Sequence, residues 1–348
     1  MPEDLKSLTT EQITERIVKL GHPAFRGKQI AGWLDSGCSS FEEMTNLPLS
    51  LREQLKTEFF IPGVTILQKW QSQLDETTKY LFELPDGETV ESVLMSYHHG
   101  WSQCLSTQVG CRMGCSFCAT GMGGLSRNLS AAEMLAQIET AQRDRGIRVS
   151  SVVLMGMGEP LDNYDNVLRF LKMLSEPGGV HIGMRHVSLS TCGLVDQIYR
   201  LMEENLQLTL SVSLHAPNNE IRSRLMPINR RYPVEELLEA CRRYADTTGR
   251  RISFEYAMIH GVNDSDACAE ELAKRLRGML CHVNLIPANE VKGKEHRRST
   301  GERLKQFSRI LEQRGLTVTV RRTLGADINA SCGQLRRQKR EEESPCGR

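Results

Sequence analysis

The run Cys111-Arg112-Met113-Gly114-Cys115-Ser116-Phe117-Cys118 places three cysteines within eight residues. One loop can turn all three thiolates toward a single inorganic centre, provided that a scaffold holds it and its backbone is satisfied locally. Two donor chemistries are open. A cubane iron-sulfur cluster that only carries electrons takes four cysteines; this run supplies three and leaves one iron open. A structural zinc site drawing on Cys104, Cys111, Cys115 and Cys118 is the alternative, although zinc sites usually join two close-spaced knuckles far apart in sequence, and the second knuckle is absent here.

Length, cysteine usage and charge narrow the setting. A chain of 348 residues is long enough for a sizeable core and for one large domain or two. Its 11 cysteines are odd in number and several fall inside apolar helical patterns, which fits a reduced, cytoplasmic protein better than a disulfide scaffold. Neither a signal-peptide core nor an apolar run of membrane-spanning length occurs, so no export and no membrane partner are expected. The net charge of +1 hides an asymmetry: Val291 to Arg340 holds 14 Lys or Arg against 4 Asp or Glu, so the remainder carries −9. A basic tract of this kind is either an electrostatic footprint for phosphate or a solvated helix face.

Thr9-Thr10-Glu11-Gln12 fits a capping box ahead of Ile13, Ile17 and Leu20 at helical spacing. Further helices are predicted after His22-Pro23 and from Leu49 to Phe59, with Lys6, Lys19, Arg26 and Lys28 exposed. The period then turns strand-like over Val64 to Trp70, Thr77 to Leu84 and Glu88 to Met95, with an Asp86-Gly87 turn making the last two a hairpin. A boundary is expected near Ser96 to Trp101. From Cys104 strands and helices alternate: strands over Cys104 to Gln108, Ser150 to Met155, His186 to Thr191, Leu208 to Leu214, Ile252 to Met258 and His282 to Ile286. They read as near-continuous apolar runs, as in a parallel sheet covered by helices. Periodicity does not separate a partly closed barrel from a doubly wound sheet.

Ligands in parallel α/β folds bind at the carboxyl ends of the strands. Those ends carry the cysteine loop, Gly156-Met157-Gly158-Glu159-Pro160, Ser190-Thr191, Ser213-Leu214-His215 and Ile286-Pro287-Ala288-Asn289. Each alone reads as a turn, and His215 alone as a satisfied strand-end histidine; at one rim they make a binding surface. An open, electron-rich iron is what holding S-adenosylmethionine by its amino and carboxylate groups requires, and one electron passed to its sulfonium yields a 5'-deoxyadenosyl radical. The C-x3-C-x2-C spacing with an aromatic residue before the last cysteine resembles the radical S-adenosylmethionine superfamily.

Five motifs in order make the resemblance closer: Cys104-Leu105-Ser106-Thr107-Gln108-Val109-Gly110-Cys111, the Gly-Met-Gly-Glu-Pro segment, Ser213-Leu214-His215-Ala216-Pro217, Met226-Pro227-Ile228-Asn229 and Cys332-Gly333-Gln334-Leu335, with Pro23-Ala24-Phe25-Arg26 near the start. Over nearly its whole length the chain resembles the RlmN/Cfr family of radical RNA adenine methyltransferases. The resemblance implies a partial (β/α)6 barrel over 101–335, a helical accessory domain over 1–60 that contacts RNA, a β-hairpin connector over 61–100 and a charged tail over 336–348. It implies one [4Fe-4S] cluster on Cys111, Cys115 and Cys118, and S-adenosylmethionine, two per turnover, held by Gly158, Glu159, Ser190, Ser213, Leu214, His215 and Asn289. Phe117 would stack by the adenine or simply pack.

In the chemistry so implied, one S-adenosylmethionine methylates Cys332, and the radical from a second takes hydrogen from that S-methyl group. The methylene radical adds to an electron-poor adenine carbon. Glu91 accepts the ring proton, unless it is a solvent-face carboxylate in an alternating strand. Cys104 then resolves the protein-RNA adduct through a transient disulfide with Cys332, which an external reductant reopens. The implied partners are 23S rRNA at the peptidyl transferase centre, tRNA at the adenine beside the anticodon, and a flavodoxin- or ferredoxin-like electron donor, with the enzyme a monomer. Val109 and Pro160 are like the branch that methylates C2, and Gly100-Trp101 is like the branch that methylates C8 and gives antibiotic resistance; C2 is the expectation. The rivals are the C8 enzyme, a diverged paralogue with another RNA target, a radical enzyme acting on a small molecule and an RNA-binding protein with a structural metal.

Overall fold

A computed structural model describes residues 2–176, 179–288, 296–322 and 324–328. A short strand β1 (Glu3–Asp4) precedes α1 (Thr10–Lys19), whose first turn is closed by the expected capping box: the Thr9 hydroxyl accepts from the Gln12 N–H at 3.2 Å and the Gln12 side chain accepts from the Thr9 N–H at 2.9 Å. Helices α2 (Phe25–Asp35) and α3 (Leu49–Glu58) follow, and β2 (Phe59–Phe60) pairs in parallel with β1. Leu5, Ile13, Ile17, Ile30, Leu34, Phe41, Leu51 and Leu55 form a core of their own, separate from the main one. Lys6, expected in solvent, is instead 5% exposed and its ammonium lies 2.5 Å from Glu139. It is a tie between this small bundle and the larger layer, reinforced by Arg169, which donates to the Ser7 and Leu8 carbonyls.

The strands β3 (Thr65–Gln71), β4 (Thr78–Glu83) and β5 (Thr89–Tyr97) form an antiparallel meander, and the predicted hairpin at Asp86-Gly87 closes with Gly87 at φ 80° and a Leu84–Glu88 backbone bond of 2.8 Å. Next come β6 (Gly100–Cys104), the β7 (Gln108–Gly110) and β8 (Leu125–Asn128) hairpin, α4 (Ala131–Arg145), β9 (Val149–Leu154), α5 (Tyr164–Ser175) and β10 (Val187–Thr191). The chain continues through α6 (Val195–Glu203), β11 (Thr209–Ser213), α7 (Asn219–Leu225), α8 (Val234–Thr248), β12 (Ile252–Met258), α9 (Asp266–Leu276), β13 (Cys281–Pro287), α10 (Gly301–Gln313) and β14 (Thr317–Val320). One open sheet runs in the order β14-β13-β12-β11-β10-β9-β6-β5-β4-β3. From β6 to β14 every neighbouring pair is parallel; the meander extends it at one edge, and β5 pairs with β6 across the expected boundary near Ser96 to Trp101.

Three expectations change. The first parallel strand is β6, ending at Cys104 rather than starting there, because Leu105 to Gln108 bend away to pair with the Gly156–Glu159 segment. A seventh parallel strand, β14, closes the far edge; its pattern of four alternating Thr and Val is too short to stand out beside the basic helix α10. Nor are the strands apolar on both sides. Val152, Leu154, Leu189, Leu210, Val212 and Phe254 face the helices, while Ser188, Ser190, Ser211, Ser213, Glu255 and Asn284 lie on the other face, in cross-strand register from β10 to β13. A wholly buried parallel sheet would be apolar on both faces; this one keeps a polar inner face, and that face leads to the rim where the cysteine loop sits.

Candidate active site

The cysteine loop is the connection of the β7–β8 hairpin. Its ends are pinned by the Cys111 N–H donating to Gly124 at 2.9 Å, and its middle by the Ser116 N–H donating to the Leu225 carbonyl at 2.8 Å. Gly110 at φ 82° and Gly114 at φ 68° supply turns that other residues adopt at a cost. Burial pushes the Cys111 thiol up to about 12, and Glu159, Cys118 and Asp162 push the same way against the Met113 N–H. Cys115 is likewise pushed to about 12 by burial and then by Cys118 and Cys111, with Arg222 opposing. The three sulfurs therefore feel one another. Three neighbouring cysteines become thiolates together only around positive charge, because each thiolate would repel the next; an iron-sulfur cluster supplies that charge. Thr120, in the last turn of the loop, keeps a buried hydroxyl without a partner among the described residues. Cys104 packs with Val93 and Met95, with Val153, Met155 and Leu324 against them. Among the described residues no His, Cys, Asp and Glu group closes around a single ion.

Behind the loop, Gly156 and Gly158 allow a close approach between two segments of the chain itself. A Cβ on Gly156 would lie 2.5 Å from the Leu105 carbonyl oxygen, and one on Gly158, at φ 107°, 2.8 Å from the Gln108 nitrogen. The two glycines let the strand end press on the Leu105–Gln108 segment, which is bonded there by Thr107 and Gln108 to Met157 and by Glu159 to the Gln108 side chain at 2.8 Å. Gly158→Ala should therefore cost about 2 kcal/mol or more of stability. Denaturant midpoints of the two proteins measure it, and an unchanged midpoint would show that the contact is not tight.

Glu159 is 4% exposed, and both its oxygens are engaged: one accepts from Leu161 at 3.1 Å, the other from Cys192 at 2.7 Å. Burial raises its pKa despite these bonds. It joins the ends of β9 and β10. Across the rim the sequence signal missed Arg222, which is fully buried on α7. Its guanidinium donates to the carbonyls of Leu214 (3.1 Å), Cys192 (2.7 Å) and Ser213 (3.2 Å) and to the Asn229 side chain (3.1 Å). An arginine in an exposed-looking helical pattern gives no clue to this; the nearby Met226-Pro227-Ile228-Asn229 motif was the available pointer.

His215 holds the left-handed conformation, φ 57°, with its Nδ1 accepting from the Ala257 N–H at 2.8 Å. Burial and the Arg222 guanidinium pull it down to about 3, so the ring is neutral with its proton on Nε2. Its edge meets the Phe117 ring at 4.8 Å, joining the cysteine loop to the Ser213-Leu214-His215 rim. Leu214 is fully buried, and Ser190 and Ser213 lie on the inner face at the ends of their strands.

Glu91 is 2% exposed, which removes the solvent-face reading. Val93 pairs with Cys104 across β5 and β6, and Glu91, two residues along, points to the same side of the sheet. Leu324 packs against the same cluster, and Gly325 and Asp327 are bound to Asp75, Ser72 and Gln73. Cys332 and Asn289 lie outside the described residues.

A three-cysteine loop at the carboxyl rim of an open parallel sheet defines a radical S-adenosylmethionine enzyme, and the Radical SAM superfamily model matches residues 105–274. That family carries a [4Fe-4S] cluster and S-adenosylmethionine. The Ribosomal RNA large subunit methyltransferase N-terminal domain model matches residues 3–61. Relatives bearing the name Probable dual-specificity RNA methyltransferase RlmN include one from Alkaliphilus oremlandii, 51% identical over 96% of this chain and 98% of its own, and one from Pelotomaculum thermopropionicum, 53% identical over 96% and 92%. A radical SAM methyltransferase from Sphaerobacter thermophilus superposes with a TM-score of 0.90 at 48% identity, covering 96% of this chain and 99% of that one. The chain belongs to the RlmN family of radical SAM RNA methyltransferases. No helix among the described residues is long and apolar enough to cross a membrane.

Proposed function

We propose that this protein methylates C2 of an adenine in 23S rRNA, at the peptidyl transferase centre, and the adenine beside the anticodon in tRNA. The observation that carries the reading is the inner-face juxtaposition of Glu91 and Cys104 with Leu324, eight residues ahead of Cys332, in a chain that carries three cysteines on one loop. Cys111, Cys115 and Cys118 would hold the cluster, and Gly158, Glu159, Ser190, Ser213, Leu214, His215 and Asn289 the S-adenosylmethionine. When bound, the pair would supply a carbon-centred radical able to take hydrogen from an S-methyl group on Cys332. The neutral His215 presents an Nε2–H donor at the rim, Glu159 and Arg222 keep the strand ends in register, Glu91 receives the ring proton, and Cys104 and Cys332 form the transient disulfide.

RNA would meet residues 1–60 and the basic tract after residue 290, through backbone and splayed-base contacts. A flavodoxin- or ferredoxin-like protein would deliver electrons to a monomeric, cytoplasmic enzyme. Mass spectrometry of rRNA and tRNA nucleosides from a null strain, with and without the gene, tests the assignment. Gain of 2-methyladenosine in both RNAs is expected; 8-methyladenosine would overturn it in favour of the C8 branch.

A further inference from the structure

Lys79 on β4 is 1% exposed, in a position where a lysine is rarely found without an assigned purpose. Register places it. Lys79 stands opposite Val93, Val93 opposite Cys104, and Cys104 opposite Val153, so these side chains share the inner face. Glu91, opposite Leu81, lies two residues from Val93 on that same face. Lys79 and Glu91 are thus diagonal neighbours across β4 and β5, with Cβ atoms about 7–8 Å apart. A four-carbon stem closes that gap. The opposite side of these strands is filled by Tyr80, Phe82, Val90 and Leu94 in the main core, so the ammonium belongs to the inner side.

The other ionisable groups on this strip are few. From β4 comes Glu83, at the hairpin end; from β6, Cys104; from β5 itself, Tyr97 at the far end. The facing residues of β3 are Gln68 and Trp70, without charge, and the acids of the adjoining turn, Asp75 and Asp327, are bound to Gly325 and to Ser72 and Gln73. Among the described residues of these strands, Lys79 is the cation on this face.

We propose that Lys79 is a positioning residue that keeps Glu91 ionised, so that the buried carboxylate enters the reaction as a base. The inference rests on the reading of Glu91 as the group that receives the ring proton. A carboxylate at this depth without a cation would hold its proton near neutral pH, and a neighbouring ammonium reverses that. Lys79 touches no reacting atom.

The test is a single turnover by enzyme already S-methylated on Cys332, supplied with S-adenosylmethionine, reductant and an RNA fragment, and followed from about pH 6 to about pH 9. Lys79→Met and Lys79→Gln should lower methyladenosine formation at neutral pH by about tenfold or more, accumulate covalent protein-RNA adduct and still release 5'-deoxyadenosine. Removing the cation raises the Glu91 pKa, so the midpoint of the pH-rate curve should move upward by about one unit or more, and Lys79→Arg should restore it. A uniform loss of rate with an unmoved midpoint would overturn the proposal and leave Lys79 a packing residue. Glu91→Gln serves as the separate control: normal turnover by that variant would overturn the base assignment itself, whereas adduct accumulation by it together with an unmoved Lys79 midpoint would overturn only the role given to Lys79.

Discussion

The Cys104→Ala protein is expected to accumulate a covalent protein-RNA adduct that the parent enzyme does not retain. Cys104 is 4% exposed at the end of β6, among Val93, Met95, Val153 and Met155, so alanine removes one sulfur from an apolar setting and costs about 1 kcal/mol of packing. The fold survives and the chemistry does not. Addition of the methylene carbon to the base needs only the Cys332 side chain; release needs a second thiol to take the Cys332 sulfur as a disulfide. Methylated product should fall below about a thousandth of the parent level, the loss expected when a covalent step has no substitute group. A denaturing gel with end-labelled RNA displays the adduct, and a reductant should not release it. In Cys332→Ala no adduct should form. Methylated RNA from Cys332→Ala, or an adduct in that variant, would remove Cys332 from the covalent role.

Replacing Arg222 should produce the largest loss of stability of any single substitution at the rim. Four acceptors on three segments, Cys192, Ser213, Leu214 and Asn229, share its donors. Arg222→Met fills the space but leaves those oxygens buried and unpaired, at about 3–5 kcal/mol, or a melting point lower by roughly 10 °C. Because burial already lowers the pKa of the guanidinium, the charge itself is held at a cost, and the carbonyl geometry is what its loss exposes. Arg222→Lys, with a point donor in place of a planar fork, should recover only part. Thermal melting of both variants is the measurement, and a shift of only a degree or two would show that water takes over the four bonds. Cys115 should respond as well: Arg222 is the cation that opposes the upward push on its thiol, so iron retained after anaerobic reconstitution should fall in Arg222→Met.

Much of this was legible in the residues alone. The cysteine loop, the capping box at Thr9, the Asp86-Gly87 hairpin and the alternation of strands with helices are local, and local spacing encodes them. The resemblance to the family implied a shared reaction for Glu91, Cys104 and His215. What failed was non-local. Lys6 looks like a surface lysine until α4 brings Glu139 to it. Gly156 and Gly158 look like turn glycines until Leu105 to Gln108 are found pressed on them. The strands from β9 to β13 looked apolar throughout because their serines are small and carry little weight in a hydropathy pattern; only the registers Ser190–Ser211 and Ser213–Glu255 align them into one polar face.

The sequence by itself determined the family and the order of the elements, because each depends on residues close together in the chain or on motifs kept in order. The tertiary structure alone decided that Lys79, Glu91 and Cys104 share one face, that Arg222 binds two strand ends and the turn holding Asn229, and that Leu324 packs against the cluster around Cys104. The reason is physical: strand register and burial come from pairings between segments tens to hundreds of residues apart, and no local pattern carries them.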